Sequence, residues 1–114
     1  PKRLFDACRG FDPRFFLYFE ETDLQKRLAD QGVERLLLPD PKIFHAIGAS
    51  AGKVKPFLLE KISTESLLLY LRKHNRIEPY VFFRILYFAV RLPIFLLKPF
   101  SWRDKAALVR TLVR

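Results

Sequence analysis

A chain of 114 residues and 13.5 kDa, half hydrophobic and 29% charged, is long enough for one core and is neither a disordered tail nor a continuous membrane bundle. A single cysteine, Cys8, excludes an intramolecular disulfide and any multi-cysteine zinc site, and it suits a reducing compartment. The net charge of +9 is uneven: residues 1–60 hold ten Lys/Arg against nine Asp/Glu, a balance of +1, and residues 61–114 hold eleven against three, a balance of +8.

The chain opens at Pro1 and contains no Met, which reads as a processed chain or a piece of a longer one, and its polar start is no cleavable signal. Residues 2–8 predict the end of a helix, with Gly10 supplying a left-handed C-terminal position. Phe11-Asp12-Pro13-Arg14 predicts a turn, and residues 15–19 a short aromatic strand or extended loop. Leu24 and Leu28 stand four apart, with Lys26, Arg27 and Asp30 mostly on other faces. This spacing predicts a helix over 23–31, capped by Thr22 or Asp23 and ended by Gly32. Residues 33–38 are apolar enough for a strand, stopped by Pro39-Asp40-Pro41. Residues 43–45 predict a second short strand, and 48–52 a small-residue loop. A helix over 64–73, capped by Ser63 or Thr64, opens the second half.

The longest apolar stretch follows over 80–100, interrupted by Arg84, Arg91, Pro93 and Pro99. Arg84, Arg91, Lys98 and Lys105 recur every seven residues, so on a helix they stack into one slowly drifting stripe. A membrane span needs roughly 20 uncharged apolar residues, and two arginines with a central proline argue against one. The pattern predicts an interfacial helix pair broken near Pro93 or Pro99, with the basic stripe at the headgroups and an aromatic face below. The alternative is a helix packed on another part of the same protein, with the arginines at its rim. Charge confined to an apolar segment points to an anionic membrane surface rather than to nucleic acid.

Glu20, Glu21 and Asp23 place three carboxylates within four residues. Like charges this close raise one another's pKa, which suits a general base. The commoner role of acids at a helix start is to oppose the macrodipole and cap free N–H groups. His45 reads as a structural hydrogen-bonder at a strand end or as a metal or phosphate contact. The loop holding Gly48, Ser50 and Gly52 lets a backbone approach phosphate but lacks a phosphate-loop lysine.

In order, these features resemble a known family. The run Arg9-Gly10-Phe11-Asp12-Pro13-Arg14-Phe15-Phe16-Leu17-Tyr18-Phe19-Glu20-Glu21-Thr22-Asp23-Leu24 resembles the family 2 glycosyltransferase segment written GGFDERFFLYFEDxDLxxR, and Arg27 falls on its closing arginine. His45-Ala46-Ile47-Gly48-Ala49-Ser50 is similar to the family's HxxGxS loop. Leu69-Tyr70-Leu71-Arg72-Lys73-His74-Asn75-Arg76 is similar to its YYxxRNR element, with His74 where arginine is usual. The nearest branch is the bacterial rhamnosyltransferase- and galactofuranosyltransferase-like one.

The resemblance implies an α/β fold, a partial GT-A (Rossmann-like) acceptor-side half over 1–60, followed by basic, membrane-associated amphipathic helices over 61–114. It implies inverting sugar transfer from a nucleotide-sugar donor to a glycan or lipid-linked acceptor. The setting would be cell-envelope polysaccharide synthesis at the cytoplasmic face of the bacterial inner membrane, with peripheral attachment. A divalent metal, Mg or Mn, would be held mostly by a donor half carrying an Asp-x-Asp motif, and no such triplet occurs in these residues. By position, Glu21 becomes the general base, one methylene longer than the usual Asp. Glu20 would support acceptor binding or the base, and Asp23 would bind acceptor or cap the helix. His45 would approach the metal and diphosphate on a loop shaped by Gly48 and Ser50. Arg84, Arg91, Lys98 and Lys105 form the expected membrane-surface set. Alone, this portion would be inactive. The competing class is a non-catalytic basic amphipathic module that binds a membrane surface or an anionic ligand.

Overall fold

A computed structural model of the chain describes residues 2–36, 39–44 and 55–113. Five helices follow one another: α1 (Lys2–Ala7), α2 (Glu20–Asp30), α3 (Pro56–His74), α4 (Ile77–Leu97) and α5 (Trp102–Val113). The described residues are mostly helical, and no strand occurs among them. This corrects the expectation of an α/β fold: no Rossmann-like sheet is formed by the described residues.

The reason is visible in the backbone. Residues 15–19 cannot extend, because Tyr18 and Phe19 both adopt left-handed conformations, with φ of 68° and 67°. Two such residues in succession curl the chain into the start of α2 instead of laying it flat. The Leu17 carbonyl, which a ladder would use, accepts the Ser66 hydroxyl at 2.8 Å. After α2 the Val33 amide turns back to the Leu28 carbonyl at 3.1 Å, and residues 33–36 run on without regular structure. A strand needs partners for its N–H and C=O groups, and among the described residues, which leave out 37 and 38, no second extended run lies alongside. Of the second expected strand, Ile43 and Phe44 are irregular and exposed, and residue 45 lies outside the described residues.

α1 carries a Lys2–Asp6 ion pair at 2.5 Å, one turn apart. It closes through Gly10, φ +66°, whose amide donates to the Phe5 carbonyl at 2.9 Å. A Cβ at Gly10 would stand 3.0 Å from the Phe5 ring, so the close approach as well as the dihedral favours glycine. α2 starts three residues before the expected point, which places Thr22 and Asp23 inside the helix. Its N-cap is Phe19, with no side-chain cap. Gly32, φ +76°, ends it as expected.

α3 begins at Pro56, eight residues ahead of the expected start, because proline fits the first helical turn. Ser63 and Thr64 therefore sit mid-helix. Arg72, Lys73 and His74 fill the last turn, where cations favour the helix C-terminus. α4 runs straight through Pro93, and the break comes at residues 98–101, around Pro99. α5 is capped by Ser101, whose hydroxyl accepts the Asp104 amide at 3.2 Å.

The three long helices meet at a small core of Leu68, Phe95 and Leu108, one residue from each. Phe57, Tyr80, Tyr87, Phe88 and Phe100 pack around it. Phe100 holds the α4–α5 turn in place by edge contact with Phe57 and a tilted contact with Phe95, at ring separations of 5.9 and 5.4 Å.

Candidate functional site: the junction of α2 and α3

Asp23 is fully buried, a costly position for a carboxylate unless cations and donors surround it. It is surrounded. Arg27, one turn on, donates through Nε at 2.8 Å to Oδ2. Oδ1 receives Lys73 Nζ at 2.6 Å and His74 Nε2 at 2.8 Å, both from the last turn of α3. An ionised carboxylate only accepts, so His74 presents Nε2–H to it. Arg27 also reaches past Asp23 to the carbonyls of Cys8 and Gly10, the latter at 2.7 Å. One carboxylate thus ties α1's end, α2 and α3 together.

A second acid completes the junction. Asp12 accepts from Arg14 through its amide at 3.1 Å and its guanidinium at 2.7 Å, and from Lys73 at 2.7 Å. Lys73 therefore bridges two carboxylates, and its ammonium also lies 5.8 Å from the centre of the buried Phe15 ring. The Arg14 hydrogen bond, reinforced by Lys73, holds Asp12 far below the usual carboxylate range despite partial burial. At Asp23, burial pushes the pKa up, but hydrogen bonds from Lys73, His74 and Arg27 together outweigh it and leave the group lowered.

The three sequence-adjacent acids are separated by the helix. Residues two apart on an α-helix point nearly opposite ways, so Glu21 and Asp23 do not share a face. Glu21 is exposed in the first turn of α2, and Glu20 is half-buried, with Oε2 shielded from solvent and unpaired among the described residues. Asp23 is surrounded by cations rather than by carboxylates, so the mutual repulsion expected from the spacing does not govern it. The entry to this turn is strained: Tyr18 and Phe19 are bulky residues in the left-handed region, a conformation that costs about 1–3 kcal/mol per residue. Their surroundings hold them there. Ser66 fixes the Leu17 carbonyl, and the Phe19 ring lies 5.7 Å from that of Tyr70, which in turn packs on His74 at 4.8 Å.

His45, Gly48 and Ser50 lie outside the described residues. Among the described residues no group of three His, Cys, Asp or Glu side chains could hold a metal. The two acids at the junction are occupied by Arg14, Arg27 and Lys73, a positive surrounding that does not fit a divalent cation.

The basic stripe divides. Arg91 and Lys98 both donate to Glu60 of α3. Arg84 is half-buried. Lys105 belongs to α5, where it donates to the Leu96 carbonyl at 2.6 Å and lies over the Trp102 ring. A cleft of about 460 Å³ between α3, α4 and α5 is lined by Lys61, Arg72, Tyr80 and Arg110, and none of the three acids borders it.

Sequence reasoning missed Lys73, and it left His74 without a role, although both meet Asp23 across about fifty residues of chain. The one available signal was a triplet of basic residues at a helix end, which names a helix C-terminus and no partner. Asp12 was legible only as a turn residue. Set beside known proteins, the chain matches no family model, no curated protein and no solved structure.

Proposed function

We propose that the chain is the C-terminal portion of an inverting glycosyltransferase that moves a sugar from a nucleotide-sugar donor to a glycan or lipid-linked acceptor. Its setting is cell-envelope polysaccharide synthesis, peripheral to the cytoplasmic face of a bacterial inner membrane. The supporting observation is the run 9–24 together with its geometry: Glu21 is exposed on the first turn of a helix that the buried Asp23 locks to α3. No Rossmann-like sheet is part of the proposal, which rests on that segment alone.

In the reaction, the acceptor hydroxyl gives its proton to the Glu21 carboxylate as its oxygen bonds to the sugar's C1. The nucleoside diphosphate leaves from the opposite face with the bonding pair, inverting the centre. Asp23 is a positioning residue, since its oxygens are already engaged. Glu20 borders the same turn and would meet the acceptor. A divalent metal would supply charge balance for the leaving diphosphate, held largely by residues outside this chain, with His45 the contact this chain offers.

Glu21→Gln in the full-length protein is expected to lower transfer by about 10²–10⁴-fold, the usual contribution of a general base, with donor binding retained. Turnover equal to the parent's would end the assignment. A second reading, a non-catalytic basic module, is favoured by the exposed apolar face of α4. An Asp-x-Asp donor motif encoded upstream of Pro1 would support the enzyme, and its absence the module.

A further inference from the structure

α4 is the helix among the described residues that is long and apolar enough to cross a membrane, yet only 6% of its most apolar window is buried. Its two faces differ in kind. Phe82, Ile85, Leu86, Val90, Ile94 and Leu97 are exposed and recur every three or four residues, so they share one face. No charge interrupts it, since the exposed positions between them are Ala89, Pro93 and Leu96. At 1.5 Å per residue the stripe is roughly 22 Å long. The opposite face packs on α3 and α5 and carries Arg84 and Arg91, with Lys98 just beyond it. Glu60 clamps Arg91 and Lys98 against α3.

We infer that this stripe, rather than the basic stripe behind it, is the surface that enters the membrane, with α4 lying flat in the outer layer of an anionic lipid bilayer. Charge complementarity chooses the occupant. Residues 61–114 carry a balance of +8, and exposed Arg76 and Arg103 flank the two ends of the stripe, so two copies meeting face to face would repel, whereas anionic headgroups attract by about 1 kcal/mol per nearby Lys or Arg. The ends of the stripe also suit an interface. Arg76 is exposed at one end, and Trp102 and Arg103 are exposed at the other, with Trp102 80% exposed. A full span is disfavoured, because surrounding α4 with lipid would take Arg91 away from Glu60. The inference rests on the membrane half of the proposed function and not on its sugar chemistry.

Trp102 is the sole tryptophan and reports on this directly. The full chain is mixed, without any sugar donor, with phosphatidylglycerol-rich vesicles and with pure phosphatidylcholine vesicles. The expected result is a blue shift of Trp102 emission and quenching by brominated lipid, stronger with phosphatidylglycerol and weakened by salt. The triple variant Phe82→Ser, Ile85→Ser, Leu86→Ser removes only exposed side chains. It is expected to keep its helical circular dichroism while its vesicle partition falls at least about tenfold, since 1.4 kcal/mol of lost burial already gives that factor. Partition equal to the parent's would overturn the inference, as would a dimer in sedimentation that the triple variant converts to monomer. Glu21→Gln is expected to leave vesicle binding intact, so a failure here is separable from a failure of the transferase reading.

Discussion

The α2–α3 junction and the α3–α5 bundle solve opposite problems with residues from the same helix. At the junction the packed groups are charged: buried Asp23 and half-buried Asp12 against half-buried Arg27, Lys73 and His74, with exposed Arg14 at the rim. In the bundle the buried groups are Leu68, Phe95 and Leu108, and much of the hydrocarbon remains outside. Geometry fixes the first, since each donor has specific acceptors to meet. Area fixes the second, and a core of this size leaves α4 with a face still to cover. The junction is thus suited to holding a turn such as Glu20–Glu21 in one place, and the bundle to meeting an apolar surface.

The largest test of this contrast is Asp23→Ala. It leaves Arg27, Lys73 and His74 facing an empty carboxylate site, and removal of one member of a buried charged set costs about 3–5 kcal/mol. Urea denaturation should show that loss, and a loss under 1 kcal/mol would mean that the cations are comfortably solvated and the junction is no hub. Phe95→Ala comes next, at about 3 kcal/mol from lost burial and the cavity left behind. Because it acts through the bundle, hydrogen exchange should rise first in α4 and α5, with the α2 amides following only on global unfolding. Equal acceleration everywhere would erase the distinction between the two regions.

Acid should separate them more gently. Asp12 and Asp23 have folded pKa values below the ordinary carboxylate value, so the unfolded state takes up their protons first. Their contribution is full above the unfolded value near 3.9 and is lost as pH falls below it toward the folded values. Exchange at α2 is expected to accelerate as pH falls from about 4 toward 2, while that around Leu108 lags. A junction whose stability is flat across this range would contradict the paired state of both acids.

Much of the helix content was legible in the residues. Gly10 and Gly32 mark two helix ends because a left-handed residue is needed there, and basic residues over 72–74 mark another. Residues 15–19 misled, since aromatic content signals a strand only when a neighbour completes the ladder; here Tyr18 and Phe19 turn left-handed and Ser66 takes the Leu17 carbonyl. The seven-residue spacing of Arg84, Arg91, Lys98 and Lys105 describes one helix face only for Arg84 and Arg91, since Lys98 lies just past the end of α4 and Lys105 belongs to α5. It could not say which side that face would take, because Glu60 lies about thirty residues away in sequence.

The sequence by itself determined the charge asymmetry, the motif run that brings Glu20, Glu21 and Asp23 together in the chain, and the apolar length of α4. These are local properties of composition and period. Only the tertiary structure decided that Asp23 is buried by α3 while Glu21 stays exposed, and that α4 turns its arginines inward and its hydrocarbon outward. Both outcomes depend on contacts between residues tens of positions apart, where the cost of burying a charge is met by a partner that no local pattern names.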